Sequence, residues 1–305
     1  MKKIALIGAS SRVGRFVASH LLDSGAGVVL LVRDGQRVAD LVDRGAIAAA
    51  GSLEDAAFVT TFTRGADALF VVTPTDPAAE KLRDFQNRVG AAAAAAVRSN
   101  RTPRVVNLSA AGAHRSSGNG PVNGLHDVER LLDAAASNLT HLRPAYFYEN
   151  FLAHLDTIRD AGGILLPVSG KASIPMVAAR DVARAAADRL LDARWTGRSV
   201  RGIHGPSEVS FQEVAATFSS VLGHPVIHIK VAEALARETL LRSGYSRDAS
   251  ESILELYRSI DTGTFEASEP RTSITTAATP LRAFVENALS PFAPVETTAI
   301  APEVA

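Results

Sequence analysis

The sequence predicts an α/β protein: a doubly wound parallel sheet with helices on both faces, followed by a smaller, mainly C-terminal α/β domain. Three observations predict it. Short, wholly apolar runs recur through the first half of the chain and alternate with stretches of helical periodicity, the pattern of strands buried on both sides. The first such run passes straight into a turn bracketed by glycines and then into a helix. Beyond residue 150 the alternation loosens and mainly helical segments take over.

Element by element, "KIALIGAS" is a buried strand ending in a loop. "GRFVASHLLDSG" follows as a helix, with Phe16, Val17, Leu21 and Leu22 at helical spacing and Gly25 as its stop. "GVVLLVR" is a second strand, "RVADLVDRG" a helix, "AIAAAG" a weak third strand and "LEDAAFVTTFT" a short helix. "DALFVVTP" is a strong fourth strand, succeeded by the long helix "AEKLRDFQNRVGAAAAAAVRSN". The alanine run Ala91 to Ala96 gives that helix a small-residue face for close packing on the sheet. "RVVNLSA", the helix "HDVERLLDAAAS" and "LTHLRPA" complete the series, and "RSVRGIHGP" is a late strand returning to the same sheet after the helix "DVARAAADRLLD". Further on, Ser210 and Glu213 stand in capping-box spacing before the helix "SFQEVAATFSSVLG". "PVIHIKV" reads as a strand, "AEALARETLLRSG" and "DASESILELYRSI" as helices. "TPLRAFVENAL" reads as a last helix with Thr279 as cap and Pro280 at its first position. This organisation places a nucleotide-binding domain at 1–155, with 176–206 returning to it. A smaller substrate domain occupies 207–290, with 156–175, and 291–305 is a flexible tail rich in proline, alanine and threonine.

Composition narrows the function classes. Of 305 residues, 47% are hydrophobic and 21% charged, and basic and acidic residues balance at 32 each, so no basic field is present to hold nucleic acid or an anionic membrane. No cysteine occurs, which excludes disulfides, thiolate metal sites and cysteine nucleophiles. The apolar run of "MKKIALIGAS" breaks at Gly8, too soon for a signal peptide, and no stretch approaches a transmembrane span. The expectation is a soluble cytoplasmic protein. The histidines form no metal-ligand spacing with a second histidine and a carboxylate, so no metal is expected. "LSAAG" lacks the nucleophile-elbow pattern, which argues against Ser109 as a hydrolase nucleophile.

The chemistry lies in "GASSRVG". Gly8 permits the sharp turn out of the strand and Gly14 lets the helix pack against it. The helix N-terminus between them offers unpaired N–H groups to a pyrophosphate. Ser11 stands where such loops often carry their middle glycine. The second strand ends in Arg33 and Asp34; an arginine there clamps a ribose 2′-phosphate and favours NADPH, while Asp34 keeps NADH open.

Taken together, "IGASSRVG", "LFVVTP", "VVNLSAAGA", "THLRPAYFYEN", "ARDVARAAADRLL" and "GIHGPSEVSFQEVA" resemble the NmrA-like branch of the atypical short-chain dehydrogenases/reductases, over most of the chain to about residue 225. The resemblance implies a Rossmann fold, bound NADP(H) with NAD(H) as the alternative, and a small-molecule substrate. It implies that Gly8, Ser10, Ser11, Arg12, Val13 and Gly14 hold the pyrophosphate, and that Arg33 holds the 2′-phosphate. By the same resemblance Thr73 and Pro74 lie along the cofactor, Ser109 sits near the nicotinamide, and Pro144, Ala145, Tyr146 and Phe147 wall its pocket. Tyr148 and Asn150 fall on the substrate side; of Tyr146 and Tyr148, one is expected toward the pocket and one outside, or both in plain packing.

Two departures stand out. Ser52 occupies the place of an aspartate that often follows the third strand. Alignment through "VNGLH" puts Val122 and His126 where the superfamily has its tyrosine and lysine, so no phenol is at hand there to protonate a carbonyl. The candidate catalytic residues are therefore Ser109 and His126, the latter first as a ligand of the cofactor ribose or substrate and second as a general acid. The alternative for His126 is a solvated residue paired loosely with Glu129, on a helix turning Leu125, Val128, Leu131 and Leu132 to the sheet. The leading function is hydride transfer from NADPH to a quinone-like or conjugated small molecule, which needs such an acid least. A non-catalytic dinucleotide sensor with a protein partner, and a cyclase or isomerase of secondary metabolism using the same cleft, are the alternatives.

Overall fold

The structure, a computed structural model, describes residues 2–289; the expected tail at 291–305 lies outside them. In chain order the first part runs β1 (Lys3–Ile7), α1 (Arg12–Asp23), β2 (Gly27–Val32), a 3-10 turn at Gly35–Val38, α2 (Ala39–Asp43), β3 (Ile47–Ala50), α3 (Ala56–Thr63), β4 (Ala68–Val72), α4 (Leu82–Asn100), β5 (Val105–Leu108), α5 (Val122–Asp133) and β6 (Leu139–Pro144). Then come β7 (Tyr146–Phe147), a 3-10 helix at Tyr148–His154, α6 (Leu155–Ala161), β8 (Gly163–Leu166), β9 (Ser173–Val177), α7 (Ala179–Leu191) and β10 (Arg198–Ile203). The remainder is β11 (Glu208–Ser210), α8 (Phe211–Leu222), β12 (Ile227–Lys230), α9 (Glu233–Arg242), α10 (Arg247–Asp261) and α11 (Leu281–Leu289).

Seven strands form one parallel sheet in the order β10-β6-β5-β4-β1-β2-β3. Apart from Lys3 at the start of β1 and the buried Asn107 in β5, the central strands are apolar because both faces are covered. On one face α1 and α7 pack Val13, Val17, Ala18, Leu21, Val182, Ala183 and Ala186 against Ile4, Leu6 and Phe70. On the other, α3, α4 and α5 pack Val59, Val89, Ala93, Val128 and Leu132 against Ala5, Ile7 and Val71. The alanine run behaves as its composition demands: Ala92, Ala93, Ala94 and Ala96 are buried in this second layer. The buried stripe of α1 is Val13, Val17, Ala18 and Leu21, and Phe16 is 39% exposed. Neighbours 100° apart cannot both face the sheet squarely, and Val17 takes that place.

The late strand expected from "RSVRGIHGP" is β10, paired parallel with β6 from Arg198–Leu139 to Ile203–Pro144. Just ahead of it lies Trp195, buried at the end of the sheet where the strands begin. Its indole N–H donates to the Arg189 carbonyl at 2.8 Å, and the Arg189 guanidinium stacks 3.9 Å from the ring.

A third core, around Tyr148, Phe151, Phe211, Phe218, Phe284 and Val285, belongs to the smaller layer. It is covered by two small sheets, β11-β9-β7 and β12-β8, of whose strands only β12 was expected from the sequence. The capping box closes from both sides: Ser210 Oγ accepts from the Glu213 N–H at 3.2 Å, and Glu213 accepts from the Ser210 N–H at 2.7 Å. Thr279, ahead of α11, gives its N–H and hydroxyl to Asp181 of α7, which joins the last helix to the first layer.

Between α10 and α11 the chain returns along the outer edge of the large sheet. The His204 backbone N–H donates to the Thr275 carbonyl and its carbonyl accepts from the Ala277 N–H, both at 2.7 Å. Beneath this strap lies a buried ionic cluster. Arg143 on β6 grips Glu129 of α5 with two hydrogen bonds, 2.9 and 2.6 Å, and reaches Glu269 of the strap at 2.8 Å. Arg143 and Glu129 are 8% and 5% exposed.

Candidate functional site

The order of the sheet locates the site. The chain winds outward from β1 through β2 to β3, then restarts at β4 on the other side of β1 and winds the opposite way. The crevice beyond the carboxyl ends of β1 and β4 is therefore the switch point where such sheets bind ligands. The residues singled out by sequence are brought to that end of the sheet.

Gly8 leaves β1 with φ +73°, and a methyl on it would run into the Val72 carbonyl oxygen at the end of β4. A Cβ on Gly14 would lie 2.8 Å from the Gly8 carbonyl oxygen. Both glycines are thus required by close backbone approach. Ser11 caps α1, its hydroxyl accepting from the Gly14 N–H at 3.1 Å, so the serine in place of a glycine secures the helix start. Val13 is buried in the first core, Ser10 is half-buried and Arg12 projects into solvent as the first residue of α1.

Next to this loop the structure leaves two buried hydroxyls without partners. Thr73, just past β4, is 7% exposed and Ser109, just past β5, is 3% exposed; neither Oγ has a hydrogen-bond partner. Unpartnered buried hydroxyls are costly and unusual. Two of them at the ends of adjacent strands, beside the open N-terminus of α1, fit a polar ligand that satisfies them. Pro74 follows, half-buried. The glycine cradle, the helix N-terminus and this pair fit the pyrophosphate and ribose of a dinucleotide.

Arg33, at the end of β2, donates to Asp76 in the loop after β4 at 2.7 Å. Asp34 turns its carboxylate to the Gln36 N–H at 3.0 Å and opens the 3-10 turn. Ser52, in the place expected for an adenine-contacting aspartate, accepts from the Glu54 N–H at 3.3 Å.

His126 lies half-buried on α5, and its Nδ1 is 2.8 Å from the Ala113 carbonyl in the loop after β5. A carbonyl only accepts, so Nδ1 carries the proton and Nε2 is left for another partner. Glu129 does not partner His126; it is consumed by Arg143, because a buried carboxylate is held where its counter-ion is. The helix turns Val128 and Leu132 fully into the core, with Leu131 partly buried against it, while Leu125 stays half-exposed at the rim. Val122 is buried in the first turn of α5, at the place where the superfamily's tyrosine was expected.

Pro144 and Ala145 are buried at the end of β6. The Pro144 carbonyl accepts from Ala111 at 2.8 Å and the Ala145 N–H donates to Ile203 at 2.9 Å, which fixes this wall to both neighbouring segments. Phe147 is half-buried. Tyr146 and Tyr148 do not alternate between pocket and outside: both are buried, at 8% and 0%. Residues two apart on a strand share a face, and the 3-10 helix that begins at Tyr148 keeps both rings in the third core, where Tyr148 lies against Phe284, ring centres 5.4 Å apart. Burial pushes the Tyr148 phenol up to about 12 and raises that of Tyr146 as well. The Tyr146 hydroxyl meets that of Tyr257 on α10 at 3.3 Å and takes a hydrogen bond with Asn150, whose residue is otherwise exposed.

Sequence reasoning missed three residues here. Tyr257 and Asp76 act across the fold, and no local pattern marks them. Glu149 accepts the Ala179 N–H with both oxygens at 3.0 Å, capping α7. Burial raises its pKa, opposed by that bond and by Arg12 and Arg180. A helix α10 over the site completes it: the Ser246 N–H donates to the Pro77 carbonyl at 2.7 Å, and Asp248 accepts from the Leu82 N–H at 2.9 Å.

Comparison with known proteins agrees with this geometry. The chain is 25% identical over 257 residues to an NAD(P)H azoreductase of Xenophilus azovorans, 83% of this chain and 86% of that protein. It is 31% identical over 255 residues to a (4-alkanoyl-5-oxo-2,5-dihydrofuran-3-yl)methyl phosphate reductase of Streptomyces griseus, 83% of this chain and 85% of that one. Its fold matches the triphenylmethane reductase of Citrobacter sp. solved with NADP(H), with a TM-score of 0.77 at 21% identity over 94% of this chain and 100% of that chain. The match to the NmrA-like family runs over residues 1–297, and with the glycine cradle and switch-point crevice it establishes that this chain belongs to the NmrA-like family.

Proposed function

We propose that this chain is an NADP(H)-dependent oxidoreductase that delivers hydride to a quinone-like or otherwise conjugated small molecule. The observation that carries the reading is the convergence of the Gly8–Gly14 cradle with the unpartnered hydroxyls of Thr73 and Ser109 at one crevice. The relatives named an azoreductase and a furanone phosphate reductase support the substrate class. When bound, the nicotinamide supplies the hydride. The protein's part is orientation and exclusion of water. The loop N–H groups of α1 would hold the pyrophosphate, Arg33 the 2′-phosphate, and Thr73 and Ser109 the sugar and nicotinamide side. Ala145 and Phe147 would wall the far side, with Asn150 and the buried Tyr146 bordering the substrate space. His126, its Nδ1 committed to Ala113, would present Nε2 to a ribose hydroxyl or a substrate oxygen. Because Val122 offers no phenol, an acceptor whose product oxygen or nitrogen is protonated by solvent suits the site best. The reading carries with it a small-molecule partner and a cytoplasmic location, and no nucleic-acid or membrane partner.

The test is oxidation of NADPH by a panel of quinones, azo dyes and butenolides, alongside dinucleotide titration. Turnover with at least one acceptor supports the proposal. Tight dinucleotide binding with no turnover across the panel would favour the sensor instead, and conversion of substrate without nicotinamide would favour an isomerase. Arg33→Ala should weaken NADPH by about 1.5–3 kcal/mol, the worth of one charge-assisted contact, and NADH far less.

A further inference from the structure

We propose that Asp76, in the loop after β4, sets the choice between NADPH and NADH, by holding Arg33 in the absence of a 2′-phosphate and opposing a 2′-phosphate when one binds. The proposal rests on the dinucleotide reading above and deepens it. Arg33 stands where β2 ends, its side chain half-exposed, and it donates Nη1 to Asp76 Oδ2 at 2.7 Å. Asp76 is not free to swing away. Its other oxygen accepts from the Ala78 N–H at 3.1 Å, its carbonyl accepts from Ala79 at 3.2 Å, and its side chain is only 22% exposed. The carboxylate that sequence offers for the ribose, Asp34, is engaged instead with Gln36. The acid beside the guanidinium is therefore one that arrives from a different strand.

The consequence follows from charge. A 2′-phosphate that binds Arg33 must share a single cation with a fixed carboxylate, and the two anions repel. A 2′-hydroxyl carries no charge and can donate to that same carboxylate, in the manner of the acid that selects NAD elsewhere. Arg33 alone would strongly favour NADPH; Arg33 with Asp76 accepts both.

The experiment is calorimetric titration of the full chain with NADPH and with NADH, for wild type, Asp76→Asn and Asp76→Ser. Both replacements keep an acceptor for the Ala78 N–H, so if one fails to fold the other carries the test. Removal of the charge should tighten NADPH about tenfold, weaken NADH slightly, and raise the NADPH preference by about tenfold or more, since the opposed charges are partly exposed and screened. An unchanged preference, or weaker NADPH binding in the folded variants, overturns the proposal and leaves Asp76 as a prop for Arg33. Failure of wild type to bind either dinucleotide would overturn the underlying reading and this one together; binding with an unaltered preference overturns this one alone.

Discussion

Replacing Arg143 with methionine should destabilise the chain severely. The arginine is 8% exposed and makes two hydrogen bonds to Glu129, itself 5% exposed, and a third to Glu269 on the strap. Methionine preserves much of the volume, so the effect isolates charge. Two carboxylates are left in a buried space without a counter-ion, a change that costs about 3–5 kcal/mol. A chain of about 300 residues has an unfolding entropy near 0.6 kcal/mol/K, so the melting temperature should fall by roughly 5–8 °C. Urea and thermal unfolding followed by circular dichroism read this directly. Because the penalty lies in the stranded charges, Arg143→Met combined with Glu129→Leu and Glu269→Leu should recover most of the loss, in defiance of additivity. A loss below about 1 kcal/mol in the single variant, or a triple variant worse than the single, would refute the account of the cluster.

The other expectations are as direct. Gly8→Ala should cost about 2–4 kcal/mol and abolish dinucleotide binding, because the left-handed backbone and the collision with the Val72 carbonyl add; a stable variant with normal titration would contradict the cradle. His126→Asn should mainly raise KM if the ring only orients, whereas a fall in kcat of about 10²–10⁴-fold would mark a general acid; unchanged KM and kcat would make it a solvated bystander. Stability should decline as pH falls from about 7 toward 5. Burial lowers the pKa of His141 below the ordinary 6.5, as it does for His154, His204 and His228, so below that value the unfolded chain takes up protons the native chain refuses. For His141 alone the ceiling is about 1.4 kcal/mol per pH unit, and urea midpoints that stay level or rise between pH 7.5 and 5.5 would contradict it.

What the sequence disclosed was what periodicity and turn chemistry encode locally. The central strands β1, β2 and β4 announced themselves because they are apolar along almost their whole length, and the loop from Gly8 to Gly14 because its strand–turn–helix setting gives the glycines a meaning. The short pairings were hidden: β7 is two residues long and β11 three, too brief for any period to register. Of the two readings of Tyr146 and Tyr148, plain packing holds, because residues two apart on a strand share a face and both rings lie in the third core. The pairings of Arg33 with Asp76 and of Glu129 with Arg143 span 43 and 14 residues, and only the folded topology decides them. Glu129 looked like a neighbour of His126 on a helix surface, whereas burial had already committed it elsewhere.

The placement of the aromatic fluorophores has a practical outcome for spectroscopy. The single tryptophan, Trp195, is embedded in the first core at the end of the sheet remote from the crevice. Of the four tyrosines, Tyr146, Tyr148 and Tyr257 belong to the core of the smaller layer and Tyr245 lies in the turn between α9 and α10. Light absorbed by indole alone therefore follows the large sheet, and the phenol signal follows the layer above it. One untouched sample thus carries two reporters, able to show whether the layers melt in a single cooperative event or the upper one loosens first.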